Sequence, residues 1–294
     1  MTDRGVRHGE PTGLALYDKT AADAAATVIA RYSTSFGLAC RLLGARVRPH
    51  VRNVYALVRV ADEIVDGSAE AAGLSADDAK KVLDGLERET LAAIDSGFSA
   101  NLVVHAFART ARECGITEDL IGPFFASMRT DLTTTAHDAA SHDSYVYGSA
   151  EVVGLMCLQI FVNAGADRPE PAPAHLVEGA RRLGAAFQDV NFLRDLDHDE
   201  QSLGRDYLAI DDAEGRTAVL DRIDADLAAA AATVPDLPSD CRRAVTAAHD
   251  LFAALSTRLR RTVEKGRRVR VPDPVKAAII ARAVMRATPR EHRA

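Results

Sequence analysis

The chain has 294 residues, of which 47% are hydrophobic and 27% charged, with a mean hydropathy of -0.08. That balance describes a globular protein able to bury a sizeable core and excludes a disordered chain. Thirty-six basic against 42 acidic residues leave a net charge of -6, which gives no reason to expect a nucleic-acid partner.

Trp is absent, aromatics are scarce, and alanine, leucine and arginine favour helix, so the composition points to an all-α protein. Residues 1–13, with Gly5, Gly9, Pro11 and Gly13, are expected to form a flexible tail. A single all-α domain is expected over 14–288, with a short C-terminal tail over 289–294. The pattern predicts helices near 18–32, 48–66, 76–95, 99–114, 117–135, 143–164, 173–199, 212–233, 239–265 and 273–287. Asp18 and Ser75 read as helix starts, and Pro49 fits a first turn. Gly67, Gly97, Gly115 and Gly266 read as stops. With helices this apolar, packing in more than one layer is expected.

The four cysteines, Cys40, Cys114, Cys157 and Cys241, are far apart and lack a Cys-x-x-Cys pair. This argues against a zinc site or disulfide scaffold and for a reduced, cytoplasmic setting. No uninterrupted apolar run approaches the roughly 18 residues of a membrane span, and Met1-Thr2-Asp3-Arg4 does not open an apolar leader.

Two helices break the expectation that apolar helices bury apolar faces. In the first, Val54, Ala56, Leu57, Val58, Val60, Ile64 and Val65 cover most of the circumference, yet Tyr55, Arg59, Asp62 and Asp66 share one narrow stripe. In the second, Gln188, Asn191, Asp195 and Asp199 share a stripe with Gly184, among Phe187, Val190, Phe192, Leu193 and Leu196. Asp189, Asp197 and Glu200 lie off it and read as solvent-side charges. Buried carboxylates are costly unless paired or bound to metal. A plain alternative for the first stripe is that Arg59 pairs with Asp62 or Asp66. Two facing Asp-x-x-x-Asp pairs, however, suit several Mg²⁺ ions and the phosphate oxygens that such ions prefer.

At these residues the sequence resembles the squalene/phytoene synthase family, over roughly 18–285. Tyr32-Ser33-Thr34-Ser35-Phe36 is similar to the family's diphosphate-contacting Ser-x-Ser-Phe element. Tyr55-x-x-x-Arg59-x-x-Asp62-Glu63-x-x-Asp66 resembles its first aspartate-rich motif, and Gln188-x-x-Asn191-Phe192-Leu193-Arg194-Asp195-x-x-x-Asp199 its second. Tyr145-Val146-Tyr147-Gly148, with Val153-Gly154-Leu155-Met156, resembles the helix beside the prenyl chain, and Gly204-Arg205-Asp206-Tyr207 the element that closes the pattern. Glu151 departs from it, standing where many members carry a small residue.

The resemblance implies an isoprenoid-synthase helical fold around a central cavity, and prenyl diphosphates as substrates. It implies Mg²⁺ (or Mn²⁺) held by Asp62, Asp66, Asn191, Asp195 and Asp199. Ser33, Ser35, Arg59, Arg194, Arg205, Gln188, Asn191 and Tyr207 are the implied diphosphate-binding residues, and Arg59 and Tyr145 join the four aspartates as catalytic residues. Phe36, Tyr55, Gly148, Val152, Leu155, Phe187 and Phe192 are expected along the prenyl tunnel, with Gly148 and Val152 continuing the face of Tyr145. The implied reaction joins two C20 chains head to head to phytoene, without NADPH. C15 substrates giving squalene or dehydrosqualene, an aromatic acceptor, and a non-enzymatic scaffold are the alternatives. His137 and His142 read as loop histidines. The cluster from Arg258 to Arg270 reads as a solvated helix end, with a peripheral contact to anionic lipid as the second reading. A monomer and a homodimer both suit the sequence.

Overall fold

A computed structural model describes residues 11–33, 35–134, 136–198, 207–208, 210, 212–262 and 269–286, with the backbone alone at Ser35, Asp197, His198 and Arg286. The described residues form helices and no β-sheet. In chain order these are α1 (Gly13–Tyr32), α2 (Ser35–Cys40), α3 (Arg48–Val65), α4 (Ser68–Ala71), α5 (Ala76–Ser96), α6 (Leu102–Cys114) and α7 (Glu118–Asp131). They continue as α8 (Ala139–Val146), a π-helical segment (Tyr147–Glu151), α9 (Val152–Asn163), α10 (Ala174–His198), α11 (Ala213–Thr233), a 3₁₀ turn (Val234–Asp236), α12 (Ser239–Arg261) and α13 (Asp273–Arg286).

The punctuation in the sequence explains most boundaries. Ser75 caps α5 by accepting the Asp78 N–H, and Asn101 caps α6 by accepting from Val103 and Val104. Pro49 sits in the first turn of α3. Gly97 and Gly115 end α5 and α6 at φ +81° and +73°, a backbone region that favours glycine. Asp18 does not start a helix. It lies inside α1, which begins five residues earlier, and its Oδ1 meets His105 Nε2 at 2.8 Å. The expected stop at Gly266 lies outside the described residues, as do residues 1–10 of the N-terminal tail and the C-terminal tail.

Two apolar clusters organise the helices. One, with Leu57, Phe107, Phe124, Phe125 and Ile160 fully buried, joins α2, α3, α5, α6, α7 and α9. The other, with Ile223, Leu227, Leu255 and Leu259, joins α10 to α13. Between them α9 and the π segment pack on α10. That packing is close because Gly154 and Gly184 lack side chains: a Cβ at Gly154 would stand 2.8 Å from Ala180 O, and one at Gly184 2.7 Å from Ala150 O. The apolar run from Ala139 to Asn163 is one continuous helix of 25 residues with a hydropathy of 1.5, long and apolar enough by composition to cross a membrane. Here it packs against α3, α6, α7 and α10.

Candidate active site

The two striped helices wall one cavity, through Val58 of α3 and Gln188 of α10. Asp62 and Asp66 stand at the C-terminal end of α3, one turn apart, and Asp195 is near the end of α10. Carboxylates there oppose the helix dipole and would not be placed there for stability. Burial pushes the Asp62 carboxyl up to about 7, the charges of Asp66, Asp131 and Glu63 push the same way, and Arg59 opposes them. Arg59 pairs with neither Asp62 nor Asp66. Its guanidinium donates to Glu63 one turn on, and lies 4.7 Å from the ring centre of Tyr32, while its Nε is buried without a hydrogen-bond partner. Arg194 donates to its neighbour Asp195 at 2.5–3.2 Å.

Beneath the carboxylates lies an apolar cavity of about 270 Å³. It is walled by α2, α3, the π segment with α9, α10, the end of α11 and α12. Gln188, Ser149 and Val58 line its end nearest the aspartates, and Phe161, Leu176 and Leu237 its far end. At 1.5 Å per residue, Val58 sits about 6 Å along the axis of α3 from Asp62, and Gln188 about 10 Å along α10 from Asp195. Phe36 and Phe187 line the cavity. Tyr55 stands behind Phe36 in a ring stack 5.6 Å between centres and is not itself among the lining residues.

Besides Tyr55, four expected tunnel residues are placed elsewhere. Gly148 is pressed against α7, where a Cβ would fall on Ser127 Oγ and Pro123 O. Val152 is fully buried in the packed cluster, and Leu155 is buried without reaching the cavity. Instead Ser149, Ala150, Val153, Gly154 and Cys157 carry the lining face of that helix. The π segment adds a residue to a turn and rotates every later position of the helix, so an α-helical step counted from Tyr145 misplaces the face. Phe192 faces an aromatic group instead, stacked on Tyr207 with ring centres 4.3 Å apart and tilted against Tyr145 at 6.0 Å.

That group contains a residue the sequence patterns did not single out. Asp131, the last residue of α7 and only 8% exposed, accepts from Tyr145 Oη at 2.8 Å and from Tyr207 Oη at 2.9 Å. Burial first, then the Asp131 charge, hold the Tyr145 phenol well above its ordinary value. The one sequence signal was an acid on the final turn of the helix, against the dipole. His137 lies in the loop between α7 and α8, as expected, yet it is buried, with its ring stacked on Tyr207 at 5.6 Å. His142 lies on α8 rather than in a loop, and its Nε2 meets Asp189 Oδ1 at 3.1 Å. Asp189 is fully buried rather than solvent-side, and Arg222 also binds it. Glu151 turns away from the cavity and receives Arg181 Nε at 2.6 Å.

Among the remaining expected site residues, Ser33 Oγ accepts the Gly37 N–H at 3.2 Å, and Gln188 and Asn191 are half-buried on α10. Asp199, Gly204, Arg205, Asp206 and the Ser35 side chain lie outside the described residues. Among the described residues no three His, Cys, Asp or Glu side chains form a closed metal cage. The donor set nonetheless suits Mg²⁺, which keeps waters and phosphate oxygens and needs only a few carboxylates. Burial and neighbouring acids push Asp62 toward its neutral form, and a bound cation would restore its charged form.

The squalene/phytoene synthase family profile matches residues 29–215, well over half of the chain. The chain is 28% identical over 273 residues to a 15-cis-phytoene synthase from Paracoccus sp. (strain N81106 / MBIC 01143), covering 85% of this chain and 86% of that one. It is 29% identical to a phytoene synthase from Mycobacterium tuberculosis (strain ATCC 25618 / H37Rv), covering 66% of this chain and 65% of that one. Its fold is similar to that of a dehydrosqualene synthase solved with a ligand, with a TM-score of 0.74 at 22% identity over 92% of this chain and 97% of that one. A squalene synthase from Alicyclobacillus acidocaldarius superposes with a TM-score of 0.71 at 19% identity over 83% and 94%. The profile match, the motif order and the helical fold agree: the chain belongs to the squalene/phytoene synthase family, enzymes that join prenyl diphosphates head to head.

Proposed function

We propose that this enzyme condenses two molecules of geranylgeranyl diphosphate to phytoene through a cyclopropyl diphosphate, with Mg²⁺ and without a reductant. The observation that carries this reading is the apolar cavity walled by α3 and α10, the two helices whose C-terminal ends carry the aspartates. The names of the relatives favour the phytoene outcome over squalene.

Asp62, Asp66 and Asp195, with Asp199 and the Asn191 amide, would hold Mg²⁺, which supplies charge neutralisation that makes diphosphate a better leaving group. Arg59 and Arg194 add fixed cationic forks suited to phosphate oxygens, with Arg205 assigned the same role from its motif. Ser33, Ser35 and Gln188 supply further hydrogen bonds, while the single O–H of Tyr207 is committed to Asp131 rather than to a phosphate oxygen. Loss of diphosphate leaves an allylic cation, the double bond of the second substrate attacks it, and loss of a proton from the resulting cation closes the cyclopropane ring with the second diphosphate still attached. The Phe36 and Phe187 faces flank the chain and favour positive charge, while the apolar walls keep out the water that would trap it. After the second ionisation and rearrangement, loss of a proton gives the conjugated triene, so no hydride donor is consumed. Tyr145 stands at the acidic end, with its hydroxyl fixed.

Incubation with C10, C15 and C20 diphosphates, with and without NADPH, tests this by the hydrocarbons formed. Phytoene from the C20 substrate with Mg²⁺ alone is expected. A strict NADPH requirement, or product only from C15, would reassign the enzyme to squalene formation.

A further inference from the structure

Asp131 is expensive to keep where it stands. It is a buried carboxylate at the C-terminal end of α7, within reach of the Asp62 charge, so burial, the helix dipole and a like charge all disfavour it. Its gains include two hydrogen bonds from phenols on separate segments, Tyr145 at the end of α8 and Tyr207 beyond α10, one to each carboxylate oxygen. An ionised carboxylate only accepts, so both phenols must donate to it. Their O–H directions are thereby fixed, and their lone pairs point away from Asp131. The ring contacts fix the rest of each phenol: Tyr145 and Tyr207 lie 5.2 Å apart, and both pack on Phe192 and His137.

We propose that Asp131 is a positioning residue for the condensation: it sets the hydroxyl direction of Tyr145 and Tyr207 at the acidic end of the cavity, without itself holding metal. This rests on the function proposed above. An asparagine in the same place would keep the shape but carry one acceptor oxygen and one donor amide. One phenol would then have to reverse its O–H to accept, which is the change that separates a positioning role from a packing one.

The test is steady-state diphosphate release by wild type, Asp131→Asn, Tyr207→Phe, Tyr145→Phe and the Asp131→Asn/Tyr145→Phe double variant, with Mg²⁺ titrations and melting curves. Wild-type release establishes the reaction. Asp131→Asn is then expected to lose about 10²-fold in kcat while KM and the Mg²⁺ half-saturation stay within about two-fold. Adding Asp131→Asn to Tyr145→Phe should cost little more than Tyr145→Phe alone, because the two act as one unit. Should Asp131→Asn fail to fold, Tyr207→Phe carries the test, with a smaller fall in kcat at unchanged KM. Unchanged kcat in a folded Asp131→Asn overturns the role alone, as does a loss that appears in Mg²⁺ half-saturation, which would place Asp131 among the metal ligands. No release by wild type overturns the reaction and this role together.

Discussion

Asp62→Asn separates what the acidic cluster costs from what it does. Asp62 is desolvated beside Asp66, and its carboxyl is pushed up from 3.8 to about 7. A carboxyl that releases its proton that much later holds it more tightly by about 4 kcal/mol. The folded chain therefore binds more protons than the unfolded chain between about pH 4 and pH 7, and this group's contribution to stability falls as pH rises through that window. Water and salt at the cavity mouth screen part of the effect, leaving about 1–3 kcal/mol against the metal-free fold above pH 7. Asparagine has the same shape and no charge. In metal-free buffer at pH 8, Asp62→Asn should melt about 2–5 °C above wild type. The gap should narrow as the pH is lowered to 5, where wild-type Asp62 is protonated. Mg²⁺ with inorganic diphosphate should raise wild type more than the variant, and diphosphate release from a prenyl substrate should be lost in the variant. Scanning calorimetry at the two pH values reads the first part. A variant that melts below wild type at pH 8 without metal, or that turns over at the wild-type rate, refutes the reasoning.

Placement sets the other expectations. Ala244 lines the cavity, so Ala244→Phe should slow the C20 substrate more than C15 while leaving Mg²⁺ half-saturation unchanged, as competing substrates would show. Gly148→Ala should lower stability by about 1–3 kcal/mol in a denaturant titration, because its Cβ would meet Ser127 and the Pro123 backbone. Asp189→Ala should cost about 1–3 kcal/mol by the same method, since it leaves the buried His142 without its partner while the half-exposed Arg222 turns to water. Glu151→Gln should change C15 and C20 rates little, because its partner is Arg181 on the outer side of α10 rather than anything in the cavity.

Local rules go a long way in this chain. Helix spacing alone singled out Asp62, Asp66 and Asp195 as one chemical class, and capping residues such as Ser75 and Gly97 located helix ends because those interactions close within four residues. The all-helical class and the two polar stripes needed no tertiary information, since a 3.6-residue period and the cost of buried charge are properties of the sequence. What the sequence could not show depended on partners distant along the chain. Asp131 looked like one more acid until α7 placed it under Tyr145 and Tyr207, the latter 76 residues away. Asp189 looked solvent-side until α11 brought Arg222 over it. The lining face of α9 was decided by the π segment, whose extra residue per turn is stabilised by packing on α7 and α10 rather than by any local preference. Residue type and spacing are written in the chain, but which side of a buried helix meets a cavity depends on what its neighbours leave empty.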